Sequence, residues 1–90
     1  MSEKSLLESL LITPGETLTE VLLDREIRPT KLAVMANIDI KELNNVIIGK
    51  EKISDDFALK LEYALKIPKT FWINLQKNYD FEKSKLNKNN

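Results

Sequence analysis

The chain contains no cysteine and no histidine. Zinc, copper and haem sites built from those ligands are therefore excluded, as are disulfides and nucleophilic triads that need histidine. Catalysis would have to rest on Asp, Glu, Lys or Tyr alone, and no paired carboxylates sit at a convergent spacing. The chain does not read as an enzyme, and nothing in it implies a cofactor or metal. No apolar run approaches the roughly 18 residues of a membrane span and no signal peptide is visible, so a cytoplasmic protein is expected. Neither sign of charge is in excess: 14 basic residues face 14 acidic ones. Nucleic-acid binders usually carry surplus positive charge, but here the distribution says more than the total. Residues 1–39 hold 4 basic and 7 acidic side chains, and residues 40–90 hold 10 and 7.

What is present suits one modest domain. Ninety residues with 42% hydrophobic content argue against disorder. Two glycines and three prolines fall near helix boundaries. In "TPGE", 13–16, Thr13 caps a first helix, Pro14 takes its first position and Glu16 completes a capping box. Leu18, Val21 and Leu22 follow at helical spacing. Pro29 opens a second helix with Leu32, Ala33 and Ala36 inward, and Asn37 suits the left-handed turn after it. Asp39 is predicted to cap a third helix, with Glu42 closing a second box, and Gly49 to end it. Ser54 caps a fourth, with Phe57, Leu61, Ala64 and Leu65 as its buried stripe. Pro68 begins a fifth, in which Phe71, Leu75 and Tyr79 fall at i, i+4, i+8. The polar tail "KSKLNKNN" is expected to fray. No strand of length is signalled. The prediction is all-α: five helices, with the second and third at helix-turn-helix spacing.

The third helix lies in "NIDIKELNNVIIGK", 37–50. At about 100° per residue, Leu43, Val46 and Ile47 share the core side and Lys41, Asn45 and Ile48 the other, flanked by Glu42 and Asn44. Asparagine is a poor helix former, so an adjacent pair asks for a reason. A recognition helix presents its N-terminal residues to base edges. Asn45 suits adenine, Lys41 guanine and Glu42 cytosine, while Ile40 can reach a thymine methyl. Lys50 and Lys52, with Lys31 on the second helix, suit phosphates. The plain alternative is that the asparagines and lysines are ordinary solvated residues. Ile48 is expected to lie under the following loop.

The stretch from Pro14 to Glu82 resembles the HigA-type antitoxins, a branch of the phage-repressor-like helix-turn-helix proteins. The resemblance rests on "PGE" at 14–16, "LA" at 32–33, "GK" at 49–50 and above all "FWINLQKNYD" at 71–80. It implies a lambda-repressor-like domain over 13–82, with an N-terminal extension at 1–12 and a flexible tail at 83–90. It also implies a homodimer that binds double-stranded operator DNA, represses its own operon and neutralises a co-encoded RelE-like mRNA endonuclease. Base contacts would come from Ile40, Lys41, Glu42, Asn44 and Asn45. The chain departs from the family's pattern at Pro29, where a phosphate-binding polar residue is usual and proline cannot donate. It departs again at Asn37 and Lys66, where glycine is usual, and at Glu42, where small hydroxyl residues are common.

Phe71, Trp72, Leu75 and Tyr79 read as core and dimer-interface packing rather than a ligand cage. The segment "SLLESLLI", 5–12, falls outside the resemblance. Its Leu6, Leu7, Leu10 and Leu11 are candidate toxin contacts, since exposed apolar patches mark binding surfaces and an acidic half suits a basic partner. The competing reading folds this segment back onto its own domain or its dimer mate. A stand-alone helix-turn-helix regulator without a toxin would share the same DNA-binding half.

Overall fold

Thr13 starts the fold as its residue type predicts. Its hydroxyl accepts from the Glu16 N–H at 3.1 Å and the Glu16 carboxylate accepts from the Thr13 N–H at 3.0 Å, closing the capping box. The computed structural model describes residues 11–88 of the chain, and side chains through Leu86. Leu6, Leu7 and Leu10 lie outside the described residues, and Leu11 is half-buried. The described residues form five helices and no strand: α1 Pro14–Asp24, α2 Pro29–Ala36, α3 Ile40–Ile47, α4 Asp55–Leu65 and α5 Lys69–Lys88.

Each helix presents one apolar stripe to a common centre. Leu18 and Leu22 of α1, Leu32 of α2, Leu43 and Val46 of α3, and Phe57, Leu61 and Leu65 of α4 are buried there. Trp72 of α5 completes the core and is fully buried. The helices pack α4 on α5, α1 on α3, and α2 on both α3 and α4, with α1 also touching α5. Arg25, just past α1, donates to the Leu65 carbonyl at the end of α4, where a cation meets the negative end of the helix dipole.

Two contacts set α3 within this frame. α1 begins against the end of α3, so a Cβ added to Gly15 would lie 2.3 Å from the Val46 carbonyl oxygen and 2.5 Å from that of Ile47. Only glycine permits that approach, which gives the "PGE" motif its middle residue. At the other end, Asn37 leaves α2 with φ 54°, the left-handed conformation. Lys66 adopts the same conformation after α4, with φ 62°. That helix therefore ends as a glycine would end it, although a lysine occupies the place.

Three expectations are corrected. Asp39 caps α3 by accepting from the Lys41 N–H at 2.7 Å, and no return bond from Glu42 closes a box, because the cap engages the second helical residue rather than the third. The buried ridge of α5 is Trp72 with Gln76, not Phe71, Leu75 and Tyr79. Phe71 is exposed and meets Trp72 edge-on, with centroids 5.0 Å apart, while Leu75 and Tyr79 are half-buried on the flank. Ile48 is 63% exposed, because α3 ends at Ile47 and the chain turns away at Gly49. α5 itself runs on to Lys88, into the polar segment that follows Glu82.

Candidate nucleic-acid interface

The α2–α3 junction is a three-residue turn, Asn37 to Asp39. Ile38 in its middle is buried, and its N–H donates to the Ala33 carbonyl at 2.9 Å. With the turn pinned inward and Leu43 and Val46 in the core, the rotation of α3 is fixed. An eight-residue α-helix is about 12 Å long at 1.5 Å per residue, a length that fits across the mouth of a DNA major groove.

The face left outside carries the residues singled out by sequence. Lys41 and Asn44 are exposed, Glu42 and Asn45 are half-buried, and Ile40 is 39% exposed. Lys31 stands exposed on α2, and Lys50 and Lys52 on the loop after α3. The face thus offers ammonium, amide and carboxylate groups and an apolar edge. That set can pair with bases and phosphates. No group of three or more Asp or Glu side chains placed to hold a metal occurs among the described residues.

The loop after α3 is not slack. Gly49 takes φ 84°, and the chain folds back so that the Lys50 and Glu51 N–H groups reach the Asn45 carbonyl at 2.7 and 3.2 Å. The Asn45 side-chain amide donates to the Glu51 carboxylate at 3.0 Å. Lys52 pairs with Asp80 of α5 at 3.3 Å, a solvent-exposed contact that contributes about 0–1 kcal/mol. Three residues therefore belong to this region that sequence reasoning did not assign to it: Glu51, Gln76 and Asp80. Glu51 gave no periodic signal because it lies in a loop. Gln76 and Asp80 sit inside the "FWINLQKNYD" motif, but their partners lie in a loop 23 or more residues away, which helical spacing does not reveal.

No family model and no curated protein matches the chain. Among solved structures, an antidote protein of a plasmid maintenance system from Nostoc punctiforme is 30% identical, with TM-score 0.76, over 81% of this chain and 80% of that one. The Pseudomonas aeruginosa antitoxin HigA, solved with the higBA promoter, is 31% identical with TM-score 0.76 and the same coverage. An addiction module antidote protein of the HigA family from Coxiella burnetii is 32% identical with TM-score 0.75, over 86% of this chain and 84% of that one. No helix among the described residues is long and apolar enough to cross a membrane. At 30–32% identity over four fifths or more of each chain, with TM-scores of 0.75–0.76, the chain belongs to the HigA family of helix-turn-helix antitoxins, which are not enzymes.

Proposed function

We propose that the protein is the antitoxin of a two-gene module, a cytoplasmic homodimer that represses its own promoter and neutralises a co-encoded RelE-like mRNA endonuclease. The observation that carries the DNA reading is the division of α3. Leu43 and Val46 are locked in the core, while Lys41, Asn44 and Ile40 are exposed and Asn45 lies half-buried beside them. The Pseudomonas aeruginosa relative with its promoter supports the same use of the fold. In a symmetric dimer the two α3 helices would stand about 34 Å apart, one turn of DNA, and read a palindrome. Ile40, Lys41, Glu42, Asn44 and Asn45 would meet base edges, and Lys31, Lys50 and Lys52 phosphates.

Pro29 lacks a donor for the phosphate contact that the family pattern implies at that position. Arg28, the uncapped residue before α2, and Lys31 are the charged groups nearest that position. The surplus of acidic residues before position 40 supports a basic protein partner, since complementary charge speeds encounter. For α5, Phe71 and Phe81 are exposed apolar groups suited to a dimer interface, whereas Trp72 is already fully buried within the monomer.

Co-expression tests both halves of the proposal. The neighbouring reading frame should arrest growth alone, the present chain should restore it, and the two should co-purify. A chain that binds its promoter but neither rescues growth nor co-purifies with that product is a stand-alone regulator instead.

A further inference from the structure

Gln76 and Asp80 lie one helical turn apart on α5, and both reach the loop that follows α3. Gln76 is the one buried polar residue among the described residues. A buried amide costs free energy unless both of its ends are satisfied, and here both are. Its Oε1 accepts from the Ile53 N–H at 2.8 Å, and its Nε2 donates to Asp80 Oδ1 at 3.0 Å. The other oxygen of Asp80 accepts from Lys52 Nζ at 3.3 Å. The loop Gly49–Ile53 is thus tied at one end to α3, through the Asn45 carbonyl, and at the other to α5, through Gln76 and Asp80.

We propose that Gln76 and Asp80 are positioning residues for DNA binding: they hold the 49–53 loop so that Lys50 and Lys52 stand ready for phosphates beside α3. The proposal rests on the DNA-binding reading above. It gives the polar members of the Phe71–Asp80 motif a task that core packing alone does not supply. An unclamped loop must be ordered when DNA arrives, which weakens binding by about 3- to 10-fold for each long side chain newly fixed.

The sign of one substitution separates this from simple electrostatics. Asp80→Ala removes a carboxylate from a surface that meets phosphates, so charge alone would tighten binding. The clamp requires the opposite. The test measures affinity of the full chain for a duplex of its own promoter by fluorescence anisotropy, well below the melting temperature. Asp80→Ala should bind about 3- to 10-fold more weakly, and Asp80→Asn, which keeps an acceptor for Gln76, should recover most of that loss. Gln76→Leu should also weaken binding, and its Ile53 amide should lose protection from hydrogen exchange while amides of α1 keep theirs. Asp80 is a surface residue, so its variants carry the test even where Gln76→Leu fails to fold. Wild-type binding with Asp80→Ala at equal or higher affinity removes the proposal alone. Absence of wild-type duplex binding removes the DNA reading and the proposal together.

Discussion

Gly15→Ala probes the contact that sets α3 in place. The new methyl would lie 2.3 Å from the Val46 oxygen, 2.5 Å from the Ile47 oxygen and 2.9 Å from the Ile47 carbonyl carbon. All three are backbone atoms, so no side chain can swing aside. Ordinary carbon–oxygen contact begins about 1 Å further out, and the start of α1 must separate from the end of α3 by roughly that amount. Overpacking costs roughly 1–3 kcal/mol, and a clash with backbone atoms sits at the upper end, about 2–3 kcal/mol. Alanine's better helix propensity returns at most about 1 kcal/mol. The net loss of roughly 1–2 kcal/mol lowers Tm by about 4–16 °C in a domain of this size. Circular dichroism melting at fixed concentration reads it directly. Gly49→Ala is the contrast, because open space surrounds Gly49 but its φ is 84°, so that variant loses about 1 kcal/mol through conformation alone. Gly49→Asn should be milder, since asparagine tolerates the left-handed region, whereas Gly15→Asn should be at least as damaging as Gly15→Ala. An unchanged or raised Tm for Gly15→Ala would refute the steric argument.

Thr13→Ala removes the side-chain half of the capping box on α1 and should cost roughly 0.5–2 kcal/mol, read as a lower urea midpoint with unchanged slope. Glu26 sits exposed with φ 56°, so Glu26→Gly should stabilise the fold by about 0.5–1 kcal/mol despite the extra freedom of the unfolded chain, and the same urea titration shows it. Glu51→Ala frees the Asn45 amide and removes a carboxylate from the DNA-facing side, so affinity for non-operator duplex should rise and the ratio of specific to non-specific binding should fall in competition titrations.

Helices α1 to α4 were legible because their ends are written in local chemistry. Thr13, Pro14, Asp39 and Ser54 mark starts, and Asn37 and Gly49 mark stops, each acting within a turn of its own position. The inward faces of α1, α2 and α4 followed from spacing, as did the outer side of α3 at Lys41 and Ile48, whereas Asn45, placed on that side too, is half-buried. The register of α5 did not. Phe71, Leu75 and Tyr79 form one apolar ridge and Trp72 with Gln76 another, a quarter turn away. The buried ridge is set by tertiary partners, the core around Trp72 and the Ile53 N–H that Gln76 accepts from 23 residues away in sequence. For the same reason a polar side chain occupies a core place that periodicity assigns to a hydrocarbon. The loop contacts of Glu51 and Asp80 have no period to betray them. Ile48 stays exposed because the loop after Gly49 folds back onto the Asn45 carbonyl rather than over the Ile48 side chain, a path that no periodicity signals.

The central claim is that α3 reads a specific operator. Fluorescence anisotropy of the promoter duplex and a scrambled duplex, titrated across a range of salt with wild type, Asn45→Ala and Lys50→Ala, tests it most directly. Wild type should prefer the promoter. Asn45→Ala should lose roughly 1–3 kcal/mol on the promoter and tolerate exchange of one base pair. Glu51→Ala serves as the control for breaking the Asn45–Glu51 bond, because it breaks that bond while leaving the amide in place. Lys50→Ala should weaken both duplexes alike and lower the salt slope by about one unit. Equal wild-type affinity for promoter and scrambled DNA, or an Asn45→Ala variant that binds the promoter as wild type does, would contradict it.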